Sequence, residues 1–278
     1  GLFWHYLEPC NLHPVVKEEY KEPCSRLYVK DKKTLLFEVT YYKKRINFEV
    51  FHVLTDGTGA TEFLKELVSN YLYLAHQKEG LEPVSMLPED MTVQDQESDS
   101  FLKYYSKDQK RPKEKKTRAF QIRRKKKDGN HLHVHESVVS VKEVLKRSRE
   151  LGVSMTVFLT AVFLKAIHEE MSKMQEKKPI VLMVPVNLRK FFPSTSMLNF
   201  FNWIEPGYDF SKRDRSFEEV LGYTKDFFEE QLTKEKMSAH INDLLALELH
   251  PILRLAPLEL KNLCIHAGQN FLRKIQRQ

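Results

Sequence analysis

Polar and apolar residues alternate along INFEVFHV (46–53), which sets Ile46, Phe48, Val50 and His52 on one face and predicts a strand. TLLFEVTYY (34–42), rich in β-branched and aromatic residues, predicts another. Three charged residues, Lys43, Lys44 and Arg45, lie between them, so the pair reads as a hairpin. After Gly57 the period changes. Phe63, Leu64, Leu67, Val68, Tyr71, Leu72 and Ala75 recur at helical spacing and predict a strongly amphipathic helix.

Residues 80–117 are polar, carry Pro83, Pro88 and Pro112, and read as a connection. AFQIRR and HLHVHESVV then flank Asp128-Gly129, a hairpin-turn signal. Ser140 and Glu143 have capping-box spacing and open a helix that Gly152 ends. SMTVFLTAVFLKAIHEEM predicts a mostly buried helix. PIVLMVPV (179–186) and NFFNWIEP (199–206) read as buried strands. Ser216 and Glu219 repeat the capping box before a helix with Phe217, Val220, Leu221, Thr224 and Phe228 on one side. The remainder reads as helical, broken at Pro251 and Pro257. Each half has a strand–strand–helix flavour, so the expectation is an α/β (α+β) protein of two related subdomains, 1–109 and 110–278.

Composition narrows the class. Of 278 residues, 41% are apolar, with 18 Phe and 11 Tyr, enough to bury a core and too many for a disordered chain. VFLTAVFL stops at Lys165, far short of a membrane span, and no signal peptide is visible. Cys10, Cys24 and Cys264 are odd in number and lack metal-ligand or disulfide spacing, which points to a reduced, cytoplasmic setting. The chain opens at Gly1 without Met, and its last residues still read as helix, so a segment of a longer protein is expected. The net charge of +7 is local. Residues 110–127 hold 11 Lys/Arg against one acid, leaving 34 basic and 37 acidic side chains elsewhere. A roughly neutral globule with one basic segment argues against a dedicated nucleic-acid-binding domain.

Candidate chemistry centres on His52, Asp56 and Gly57. An imidazole fixed at a strand end has the rigid mount and near-neutral titration that a general base needs. Gly57 lets the chain turn sharply into the helix, and Asp56 in that turn can meet a cation and lock the loop. The residues alone leave a second reading open, in which His52 is a core histidine and Asp56-Gly57 an ordinary turn.

HVLTDG resembles the His-x-x-x-Asp-Gly signature of the chloramphenicol acetyltransferase-like superfamily, which includes peptide-synthetase condensation domains and acyl-CoA-dependent alcohol acyltransferases. VPVNLRKFFPSTSMLNFFNW resembles the matching segment of bacterial alcohol acetyltransferase-like members, and the likeness covers about 34–205 in element order. The resemblance implies a two-layer sandwich, a mixed sheet with helices on one face and a tunnel between two subdomains. It also implies acyl-CoA, typically acetyl-CoA, as co-substrate, with no tightly bound cofactor. The acceptor would be an alcohol or amine, and an acyl or peptidyl carrier protein is a further implied partner. His52 would deprotonate the acceptor, which attacks the thioester with no acyl-enzyme, and the absence of a Gly-x-Ser-x-Gly motif fits that. Asp56 would be structural, paired with Arg189 of VNLR, and a paired carboxylate stays ionised. Ser194, Thr195, Ser196 and Asn199 fall where polar groups approach the tunnel. Asn199 and Ser196 lead as oxyanion or substrate-binding candidates, with Asn187 beside them. The chain departs from the pattern by lacking an Asp-Phe-Gly-Trp-Gly-like segment, for which DFSKR (209–213) is no match. The alternative is a non-catalytic condensation-like binding module or an inactive fragment of the same fold.

Two features compete for attention. His131, His133 and His135 alternate on one side of a strand pattern, as a zinc site would require. The favoured reading sets Leu132, Val134 and Val138 on the core face and the histidines in solvent, with no metal. The basic run 110–127 reads first as a solvated segment, then as a contact for CoA phosphates, and last as a nucleic-acid contact.

Overall fold

Two lysines turn the first hairpin. β2 (Phe37–Tyr42) and β3 (Arg45–Val50) pair antiparallel from Phe37↔Val50 to Tyr42↔Arg45, with Lys43 in the left-handed region at φ 53°. Arg45 therefore belongs to the ladder and not to the turn. A short β1 (Lys17–Glu18) adds parallel to β2 and makes the sheet mixed, in the order β1-β2-β3. The computed structural model describes residues 3–5, 7–29, 32–80, 82, 92–106, 118–122, 134–264 and 267.

On the apolar face of this sheet, the Phe37 and Phe48 rings meet Phe63 of α1 (Gly57–Ala75) at centroid distances of 5.8 and 4.8 Å. The cover is thinner than the periodicity predicts, because Phe63, Tyr71 and Leu72 remain exposed. β3 also ends sooner than the alternation predicts. Phe51 N donates to Leu36 O, and Leu54 N then closes a turn on Phe51 O, so His52 lies in a turn beyond the strand.

The segment read as a polar connection folds locally at 92–106. α2 (Val93–Gln96) starts in a Thr92–Asp95 capping box, and α3 (Ser100–Lys103) is capped by Asp99. Four-residue helices are too short to show a period, though both caps are visible in the sequence. The rings of Phe101 and Tyr104 pack at 5.3 and 6.0 Å from Phe200.

α4 (Val141–Glu150) and α5 (Met155–Glu169) are joined at Gly152, whose φ of 66° suits glycine. Val153 N donates to Ser148 O and Gly152 N to Arg149 O as the chain leaves α4. Only one stripe of α5 is buried, through Val157, Ala161 and Leu164. Phe163 is 60% exposed, so the helix is not mostly buried as its composition predicts. β4 (Ile180–Val181) pairs with β7 (Gly207–Tyr208), and β5 (Val184–Asn187) with β6 (Phe201–Ile204), both antiparallel and in one common register. Pro206, which has no N–H to give, interrupts the ladder, and Leu182 N donates to its carbonyl. α6 (Phe217–Gln231), capped by Ser216, buries Val220, Leu221, Thr224 and Phe228 against α5. α7 (Lys234–Glu248) adds Met237, Ile241 and Leu245 to the same core, and Pro251 opens α8 (Pro251–Leu255).

Strands in mixed and antiparallel sheets with packed helices make this an α/β protein. Most of the expected hairpin about Asp128-Gly129 lies outside the described residues. Its described flanks, 118–122 and 134–139, hold no strand, and Phe120 N bonds Pro179 O instead. Val138 is 99% exposed and Val134 54%, so neither takes a core face. Among the described residues no single helix is long and apolar enough to cross a membrane. α4 and α5 pass together, but they meet at 89° and α5 is a core helix.

Candidate active site

Asp56 stands at the junction where β3 has ended and α1 begins. As the N-cap of α1, its Oδ1 accepts from Thr58 N at 3.0 Å and Gly59 N at 3.2 Å, which satisfies two donors left free by the first helical turn. Its Oδ2 accepts from Arg189 Nη1 at 2.7 Å and Phe200 N at 2.8 Å. Burial by itself would push this carboxyl up. The hydrogen bond from Arg189, the amides of Phe200 and Gly59 and the guanidinium charge outweigh it and hold the carboxyl below the usual carboxylate range.

Arg189 follows β5 in a single helical turn that Asn187 caps, the Asn187 Oδ1 accepting from Arg189 N. Besides Asp56, its guanidinium serves the backbone of the returning chain. Nε donates to Ser196 O, Nη2 to Ser196 O and Leu198 O at 2.8 Å each, and Nη1 to Phe200 O at 3.5 Å. Asn187 Nδ2 donates to Thr58 Oγ1 at 3.0 Å, and Thr55 Oγ1 to Met197 O at 2.6 Å. The first turn of α1 and the loop before β6 are thus sewn together around one buried ion pair.

Gly59 shows how close the two segments run. A Cβ there would lie within 2.5 Å of the backbone oxygen of Met197 and closer still to Thr55 Oγ1, which is itself hydrogen-bonded to that oxygen. Gly59→Ala is therefore expected to cost about 1–3 kcal/mol, the range for overpacking a fitted contact, measurable as a lowered urea midpoint at unchanged slope.

His52 is exposed on this framework, not packed in a closed core. Its Nδ1 lies 3.1 Å from Asn199 Oδ1, and its ring sits 5.4 Å from Phe201. Asn199 Nδ2 donates to His52 O at 2.8 Å and Val53 O at 3.4 Å.

The profile of the alcohol acetyltransferase family matches residues 14–200, a span that includes every residue of this constellation up to Phe200. The chain belongs to the alcohol acetyltransferase family. No curated protein sequence matches it. Alcohol acetyltransferases are acyltransferases, so acyl-group transfer is the chemistry against which the site residues are weighed.

In this member of the family the polar candidates separate. His52, Asp56, Arg189, Asn187 and Asn199 come together. Ser196 does not join them, because its hydroxyl is 2% exposed, donates to Ser98 O at 2.7 Å and accepts from Leu198 N, so it pins the loop from within. Ser194 Oγ shares a hydrogen bond with Ser100 Oγ, and Thr195 is exposed. Asn199 faces the His52 ring with its oxygen, and its amide nitrogen donates to the backbone carbonyls of residues 52 and 53, so the side chain is engaged by the His52 turn. Gly57 is unobstructed and opens α1. Sequence reasoning missed Thr55, Thr58, Phe200 and Phe201. Two of these act through backbone or ring contacts that leave no motif, whereas Thr55 lies within HVLTDG and Thr58 directly follows it. Among the described residues no group of three or more His, Cys, Asp or Glu could hold a metal ion, and His131 and His133 lie outside them, as do residues 110–117 and 123–127 of the basic run.

Proposed function

We propose that the protein is an acyl-CoA-dependent O-acyltransferase in which His52 is the general base and an alcohol, or an amine, attacks the thioester directly. The observation that carries this is the division of labour between the two motif side chains: Asp56 is turned into a buried ion pair with Arg189, and His52 is left exposed beside it. A carboxylate held ionised by its partner does not compete for the acceptor's proton, so the exposed imidazole is the motif side chain left to take it.

In the proposed step, His52 Nε2 takes the hydroxyl proton as the acceptor oxygen bonds to the thioester carbonyl carbon. The tetrahedral oxyanion collapses, the C–S bond breaks, and the CoA thiolate recovers the proton from Nε2. The products are an ester and free CoA. Covalent catalysis would need a Ser or Cys within hydrogen-bond reach of the imidazole. Among the described residues, the ring's hydrogen-bond partner is Asn199.

The test is thiol release from acetyl-CoA across a panel of short alcohols and amines. Release that depends on the acceptor, with the matching ester or amide in the products, supports the proposal. CoA binding with no release from any acceptor overturns it in favour of a binding module.

A further inference from the structure

We infer that Asn199 is a positioning residue that holds the His52 imidazole with its proton on Nδ1 and a bare Nε2, and that the Asp56–Arg189 pair acts on the base through Asn199. The inference rests on the reading of His52 as the base.

The amide's orientation follows from its neighbours. Two backbone carbonyls, His52 O and Val53 O, lie at 2.8 and 3.4 Å from one end of the Asn199 side chain. That end must be the NH2, since an oxygen there would face two other oxygens with no hydrogen between them. The opposite end, 3.1 Å from His52 Nδ1, is then the carbonyl oxygen, which only accepts. Nδ1 must carry the hydrogen, and in a neutral ring Nε2 is left with its lone pair. An unconstrained histidine side chain favours the other tautomer, with the proton on Nε2, in which that nitrogen cannot accept. Asn199 thus selects the form that works as a base at Nε2, and its link to His52 O and Val53 O holds the whole turn, not the ring alone. The Phe201 ring beside the imidazole adds a wall.

Asn199 is in turn fixed from both sides along the chain. Leu198 O accepts from Arg189 Nη2 at 2.8 Å, and Phe200 N donates to Asp56 Oδ2 at 2.8 Å. The residues before and after Asn199 are therefore both bonded to the ion pair. The motif aspartate reaches the motif histidine not through their short separation in sequence but by way of the distant loop before β6 that carries Asn199.

The test is 15N NMR of the full chain labelled at histidine, at a pH where the ring is neutral, with the His52 signal assigned by its loss in His52→Gln. The wild type is expected to show a protonated Nδ1 and a bare Nε2, and Asn199→Ala to return to a protonated Nε2. In acyl transfer, Asn199→Ala should lose about ten- to a hundred-fold in kcat, the scale for removing a partner that orients a functional imidazole, with KM for acetyl-CoA little changed. A wild-type spectrum with the proton on Nε2 overturns the inference, as does wild-type kcat in Asn199→Ala. If that variant fails to fold, the wild-type spectrum decides alone. Full activity in a His52 variant would sink the base reading separately, leaving the tautomer result standing.

Discussion

His52→Ala is expected to lower turnover in acyl transfer by at least about a hundred-fold, the lower end of what a positioned general base contributes. The expectation is specific to the chemical step. His52 is exposed, and among the described residues its side chain makes one hydrogen bond, to Asn199, and one ring contact, with Phe201, so truncation opens no core cavity. Asn199 keeps its donors on the carbonyls of residues 52 and 53, which are backbone groups and survive the substitution. Stability should therefore stay within about 0.5 kcal/mol of the wild type, as for most surface changes. Steady-state kinetics with saturating acetyl-CoA, paired with a thermal melt, would separate the two quantities. Wild-type turnover in the variant would refute the assignment of the base.

Asp56→Asn should behave in the opposite way, with a large loss of stability and a loss of activity that follows it. Removing one partner from a buried ion pair typically costs about 3–5 kcal/mol, because the other charge stays buried and uncompensated. Arg189 is 12% exposed at its side chain and Asp56 5%, so the pair qualifies. The pH dependence gives an independent check. The carboxyl's folded pKa is depressed, so its contribution is complete above the unfolded value of about 3.9 and is lost as pH falls through the folded pKa. Urea titrations should show the gap between wild type and Asp56→Asn at full size at pH 7 and shrinking below about pH 4. A gap that stays constant with pH would mean that the carboxylate's charge is not what the fold depends on.

Much of this architecture was legible in the chain. The hairpin, α1 and the capped α4 and α6 follow from local periods and caps, which one segment can display by itself. The misreadings have physical causes. His52 was assigned to a strand because its side chain continues the alternation, yet the ladder ends when Phe51 N takes Leu36 O. The composition of α5 is apolar all round and predicts burial, although one stripe, Val157, Thr160, Ala161, Leu164 and His168, supplies the buried face. The resemblance sets Ser196 near the tunnel, and the anchorage of its hydroxyl to Ser98 O is visible only in the tertiary structure. The meeting of Asp56 with Arg189 was reachable only through resemblance, since nothing local ties residue 56 to residue 189. The tie between Asn199 and the backbone of residues 52 and 53 was not reachable at all.

The bonds that assemble the site join residues far apart in the chain: 133 positions for Arg189 to Asp56, 144 for Phe200 to Asp56 and 147 for Asn199 to His52. Such closures carry a high contact order, so their entropic cost falls due before any of the bonds can form. A chain made from its N-terminus exposes the HVLTDG turn long before its counter-charge has been synthesised. Until then Asp56 has only Thr58 and Gly59 to cap and must stay in water, since an unpaired carboxylate resists burial. The helix can begin early, whereas the contact of Asn199 with the His52 ring must wait for residue 199.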